Sequence, residues 1–227
     1  LIFFTWTKLP SPEPMIWGRL RIVVTTAALW AVYRMVPCRF TLLCRVALQL
    51  ALLSWWYPDT FSLTRIFPNL DHLFAAAEQS IFGCQPALLF SQHFPSPVFS
   101  ELLSYGYVSY FFLIVAVALY YFLHRYDRFT YAAFVILASF FLFYVIFIFL
   151  PVAGPQFYYQ AVGLDEIARG TFPDLGHYCL NHQEALTAPG WYDGFAYHLL
   201  EDAHKAGERP TAAFPSSHVG ISVVLRS

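Results

Sequence analysis

LLSYGYVSYFFLIVAVALYYFL, Leu102 to Leu123, and FTYAAFVILASFFLFYVIFIFL, Phe129 to Leu150, are each 22 residues long without one charged side chain. As helix each is ~33 Å long, enough to cross the hydrocarbon core of a bilayer. Only His124 to Arg128 separates them, so they form a hairpin of two membrane spans. The whole chain agrees: of 227 residues 58% are apolar and 20% aromatic. Only 12% are charged, against roughly 25% in ordinary soluble domains. The net charge of -1 leaves no basic excess to neutralise a nucleic-acid backbone, so nucleic acid is not an expected partner.

Working outward, two shorter spans are predicted at Ile22 to Val36 and Thr41 to Trp56, and a fifth helix starts at Ala213. Arg45 lies near the end of the second span, where its long side chain snorkels to the interface. The fold class expected is an all-α, polytopic transmembrane helical bundle forming a single membrane domain over 1–227. The chain reads as truncated at both ends. Leu1 to Trp6 lacks the basic start of a signal peptide, and the apolar run from Ala213 stops after about a dozen residues, too few to span.

Charge orients the bundle. Segments 34–45 and 124–128 carry +3 and +1, while 58–101 and 153–212 carry -3 and -5. Basic short loops stay in the cytoplasm, which makes 58–101 and 153–212 the extracytoplasmic loops. The +2 over residues 1–21 runs against this scheme. Within the first loop Leu70, Leu73, Phe74, Ala77, Ile81 and Phe82 recur at helical spacing, as in a helix lying on the membrane surface or packed on the bundle. Pro151 and Pro155 end the fourth span, and Tyr158 and Tyr159 suit an interfacial aromatic belt.

In the second loop Trp191, Phe195 and Leu199 recur every four residues, as in the buried stripe of a helix. Cys84 and Cys179 share the extracytoplasmic side, so one disulfide between them is a possibility the spacing leaves open. His177, Cys179 and His182, with Asp174 and Glu184, include metal-ligating types at a spacing that matches no metal motif. No metal and no cofactor is expected.

The chemistry concentrates in KAGERPTAAFPSSHVGIS, Lys205 to Ser222, where a polar loop turns into an apolar helix. With Pro215 at the helix start, the amides of Ser216, Ser217 and His218 present donors and a positive dipole end to an anion. Lys205 and Arg209, just upstream, are placed to add charge-assisted bonds to phosphate oxygens. His218 is of the type that titrates near neutrality, as a proton donor to a leaving oxygen must. A helix cap beside an interfacial His is the plainer alternative for so short a motif.

AFPSSHVGI, Ala213 to Ile221, resembles the second signature of the type 2 phosphatidic acid phosphatase (PAP2) superfamily, a Pro-Ser-Xaa-His that opens a transmembrane helix. LDHLFAAAEQSIFG from Leu70, Tyr107 and the Pro-Val-Ala-Gly-Pro ending at Pro155 resemble the branch containing inositolphosphorylceramide synthase. The resemblance implies a membrane lipid phosphatase or phosphotransferase working through a phosphohistidine, on a phospholipid or lipid phosphate substrate in the bilayer. It also implies that His218 protonates the leaving group while Ser216, Ser217 and the adjoining amides hold the phosphate.

The first family signature spaces its Lys and Arg-Pro by six residues. Here Arg209-Pro210 follows Lys205 after three. The third signature, an Arg followed by a nucleophilic His with an Asp four residues on, is expected beyond Ser227. His198 and Asp202 have that last spacing but precede the second signature, and an ordinary helix pair accounts for them as well. A bacterial inner membrane with the site facing the periplasm is the expected location. The rival reading is a noncatalytic lipid-binding or transport protein using the same anion-binding turn.

Overall fold

The computed structural model describes residues 9, 12–186, 193–207 and 209–226, with the backbone alone at 91 and 204–207. The described residues fold as α-helices joined by turns and loops, with no strand among them. Four helices are long and apolar enough to cross a membrane: α1 (Pro12–Met35), α2 (Arg39–Thr64), α5 (Pro97–His124) and α6 (Tyr126–Phe149). Between α2 and α5 lie the short helices α3 (Asp71–Phe82) and α4 (Pro86–His93). Beyond α6 come α7 (Pro155–Val162), α8 (Leu164–Ala168), α9 (Tyr178–Asn181) and α10 (Phe195–Gly207), and then α11 (Ser217–Arg226).

The hairpin predicted from the charge-free stretches forms with a single residue, Arg125, between its helices, and the Pro97 ring opens α5 where a missing amide costs nothing. The first two spans are longer than predicted. The α1 helix begins at Pro12 rather than near Ile22, because Arg19, which lowers local hydropathy, is paired inside the bundle with Asp59 of α2. Its guanidinium also lies 3.7 Å over the Trp56 ring. The α2 helix continues through Pro58 to Thr64 instead of ending at Trp56. Gln49 donates to Thr26 at 2.8 Å, and together with the Arg19–Asp59 pair this fixes α1 and α2 as antiparallel neighbours. At their connection the Thr41 hydroxyl donates to the Val36 carbonyl at 2.8 Å.

The α2 and α6 helices run in parallel, with Leu42 and Val46 on Phe129 and Ala133 at one end and Leu53 on Tyr144 and Phe147 at the other. In hydrocarbon, apolar burial does not drive helices together, so close packing must do it. The contacts match: Phe129 and Phe147 are almost fully enclosed, whereas Phe112, Phe134 and Leu142 on the outward faces are more than 60% exposed. The α11 helix lies in the groove between α5 and α6, parallel to α5, with Ile221 wholly buried against Ile114 and Ile136. Gly220 makes this approach possible, since a Cβ there would sit 2.3 Å from the Phe143 ring.

Other expectations are corrected. Tyr158 and Tyr159 are not a surface belt. They are 1% and 2% exposed, packed with Ala75 and Ile167 where α7 folds over α3. The Tyr158 hydroxyl donates to the Pro173 carbonyl at 2.9 Å. Phe195 is 82% exposed rather than buried, and Ala196 is the residue that α10 turns inward. The small side chain lets the helix pack closely on α5, and Trp191 of the predicted stripe lies outside the described residues. On α3 the buried residues are Asp71 and Ala75, while Leu73, Ile81 and Phe82 point outward.

Candidate active site

The segment from Arg209 to Ser216 crosses the end of the bundle and is held from below by the Pro-Val-Ala-Gly-Pro turn that follows α6. The Ala213 amide donates to the Val152 carbonyl at 3.0 Å. Gly154 adopts a φ of +96°, open to glycine but strained for other residues, and a Cβ there would be 2.7 Å from the Ala213 Cβ. The turn is itself tied to α3. Asp71, 3% exposed, accepts the amides of Ala153 and Gly154 at 2.8 Å each, and the Leu70 amide donates to the Pro151 carbonyl at 3.0 Å. The Asn69 side-chain amide adds a third bond to the Asp71 carboxylate at 2.6 Å. Burial pushes the Asp71 carboxyl above its ordinary range, and these donors pull the other way. Above the turn the Phe74 and Phe214 rings meet at 4.7 Å, and Ala212 packs on the Leu53–Phe147 cluster with a positive φ of 70°.

The helix predicted from Ala213 starts later, at Ser217, so Pro215 stands before the helix rather than in its first turn. The exposed Ser216 is the cap residue: its Oγ accepts the Val219 amide at 3.4 Å, and its carbonyl accepts the Gly220 amide at 3.0 Å. By helix geometry the amides of Ser217 and His218 then face out of the helix start, where the dipole is positive. The His218 imidazole is partly buried among α5 rings. It stacks on Tyr107 at 4.1 Å and 30°, meets Tyr110 at 4.4 Å, and has Phe111 edge-on at 6.2 Å.

The remaining candidates are more dispersed. The exposed Arg209 donates to Gln183 Oε1 at 3.1 Å, which occupies one of its five N–H groups. Lys205 is on the last turn of α10, and its side chain lies outside the described residues. The α10 helix is carried by α5: Glu101 caps its first turn, accepting the amides of Ala196 and Tyr197 at 3.0 and 3.1 Å. His198 sits near Asp193 and Glu201 at 3.7 and 4.0 Å, and no bond joins it to Asp202 among the described contacts. Cys84 and Cys179 are both free thiols. Cys179 packs on Ala153 and Phe157, where burial pushes its thiol up to about 11. His182 stacks on Tyr178 at 4.0 Å, and no group of three metal-ligating side chains converges among the described residues.

A comparison with known families finds a match, described as PAP2 superfamily, over residues 71–226. The chain belongs to the PAP2 superfamily. No curated protein and no solved structure matches it. Membership supports phosphatase or phosphotransferase chemistry in general; the match names the superfamily and not its inositolphosphorylceramide synthase branch. The PAP2 match begins at Asp71 and ends at Arg226, the last described residue of α11, leaving α1 and α2 outside it.

Sequence reasoning missed three residues of this PAP2 arrangement: Asp71, Glu101 and Tyr110. Asp71 is an acid in the first turn of α3, a placement the helix dipole alone explains, and Glu101 is a lone acid one turn into the apolar α5, where nothing in the sequence shows the α10 amides it meets. Tyr110 was detectable only as a ring three residues from Tyr107, on the same face of a span.

Proposed function

We propose that the protein is a membrane lipid phosphatase or phosphotransferase in which the start of α11 receives a phosphate headgroup. The observation that supports this most strongly is His218 at the exposed start of a helix seated between two membrane-length helices, inside the family-matched region. In this proposal the outward amides and Ser217 hold phosphate oxygens, and Arg209 and Lys205 add positive charge. A nucleophilic His, of the kind the family resemblance implies, attacks phosphorus. The bond from phosphorus to the leaving oxygen breaks, and His218 gives that oxygen its proton. Water or an alcohol then attacks the phosphorus of the phosphohistidine, the P–N bond breaks to release the nucleophilic His, and the attacking oxygen gives its proton to His218. A bacterial inner membrane with this end of the bundle in the periplasm is part of the proposal, since the short basic connections lie at the other end.

The test is phosphate release from a phospholipid and lipid-phosphate panel by the purified full-length protein and its His218→Ala variant. Loss of a positioned acid lowers turnover by roughly 10²–10⁴-fold. Undiminished phosphate release by His218→Ala overturns the proposal.

A further inference from the structure

The α5 rings that surround His218 do more than fill space. Tyr107 and Tyr110 are three residues apart on one helix face, and both present their rings to the imidazole, at 4.1 and 4.4 Å between centroids. Tyr110 is 5% exposed and is fixed by Ile114, Ile136 and Ile221 around it, with Phe140 of α6 at 6.4 Å. With α11 parallel to α5 and seated on α6 at Gly220, the second residue of α11 emerges over this pair of rings.

A histidine side chain has two rotatable bonds, and near a helix start its ring can otherwise sweep a wide arc. A flat ring 4.1 Å away and only 30° from parallel removes most of that arc. We propose that Tyr107 and Tyr110 are positioning residues that set the plane of the His218 imidazole, so that its proton is aimed at the leaving oxygen above the start of α11. The ring faces, and not the hydroxyls, perform this task. The proposal rests on the role of His218 as the acid, and its structural half is testable without that role.

Tyr107, partly buried, is the position to vary, because Tyr110 belongs to the core. In the full-length protein Tyr107→Phe keeps the ring, Tyr107→Leu removes it, and Tyr107→Met replaces Leu should that variant not fold. Two readouts are taken. The first is kcat and KM for lipid phosphate release. The second is the rate at which diethyl pyrocarbonate modifies His218, followed by mass spectrometry of the peptide. The ringless variant should lose on the order of 10–100-fold in kcat with KM within about twofold, as expected for a misaligned reacting group. Its His218 should be modified several-fold faster, and Tyr107→Phe should match the wild type in both readouts. A ringless variant with wild-type kcat and wild-type modification overturns the proposal. So does a Phe variant as impaired as Leu, which would move the task to the hydroxyl. If the wild type releases phosphate from no lipid while His218 modification still follows the ring, the clamp is supported and the lipid-phosphate function is what fails.

Discussion

Replacing Asp71 should loosen the floor of the site. Its carboxylate, 3% exposed, accepts the amides of Ala153 and Gly154 at 2.8 Å and the Asn69 side chain at 2.6 Å. In Asp71→Ala two buried amides lose their acceptor, at about 1–3 kcal/mol each, partly offset because the buried carboxylate is no longer desolvated. The expected net loss is about 2–4 kcal/mol, or roughly 4–16 °C in a thermal midpoint for a chain of this size. Asp71→Asn keeps one acceptor oxygen but turns an NH₂ toward a second donor, so it should fall between. Burial raises the Asp71 carboxyl above its ordinary value, so the folded protein holds this proton more tightly than the unfolded chain. The stabilisation is fully present below about pH 4, the unfolded value, and is lost as pH rises through the folded one. The advantage of wild type over Asp71→Asn should therefore be largest in acid and shrink as pH rises. Detergent-solubilised protein and its variants, melted across pH 3.5 to 7, provide the assay. A midpoint for Asp71→Ala within about 2 °C of wild type refutes the stapling role. An advantage that grows with pH refutes the ordering of burial over the amide bonds.

Three shorter predictions concern the same end of the molecule. Gly154→Ala meets both the positive φ and the Ala213 Cβ at 2.7 Å, so it should cost about 1–3 kcal/mol and lower phosphate release by displacing the loop before Ser216, read as a lower melting midpoint with helical circular dichroism retained. Glu101→Ala uncaps α10 and should cost about 1–2 kcal/mol, with faster amide hydrogen exchange confined to the turn of Ala196 and Tyr197; exchange unchanged there would count against the cap. A maleimide at pH 7 should label Cys38 well before Cys179. Hydrogen bonds from the Thr41 backbone and hydroxyl lower the exposed Cys38 thiol, while Cys179 is buried and raised to about 11; peptide mapping showing equal rates would contradict this.

The sequence was most legible where one residue's environment is set by its immediate neighbours. The α5–α6 hairpin needed only two charge-free stretches, and its ends came within five residues of those predicted. The start of α1 was misplaced by ten because Arg19 reads as a terminator until its partner Asp59 is known, forty residues away. The α2 helix runs through Pro58 to Thr64, past the end predicted at Trp56. At the site the PSSH motif was visible, but the division of labour inside it was not. Which serine caps the helix depends on where the helix starts, and the structure places that start at Ser217, leaving Ser216 as the cap. Tyr158, Tyr159 and Phe195 went wrong for one reason: aromatic spacing along a loop does not say which side another helix will cover.

Long-range placement also bears on an apparent conflict between charge and function. Segments 58–101 and 153–212 carry -3 and -5, a field that would repel a phosphate headgroup if the carboxylates were free at the surface. Several are not. Asp59 is paired with Arg19, and Glu166 with Arg169 at 2.6 Å. Asp174 accepts the Gly176 amide at 2.8 Å. Asp71 and Glu101 each face two backbone amides, so the negative charges tied most directly to the floor of the site and to α10 are turned inward onto donors. Arg209, by contrast, is exposed, and its bond to the Gln183 side chain is to a neutral amide oxygen, which leaves its charge uncompensated by that partner. Arg19 lies outside segment 58–101, so its pairing with Asp59 makes the field of that loop weaker than the -3 counted along the sequence. In the proposed site the first-turn amides of α11 and Arg209 supply the sign that a phosphate requires.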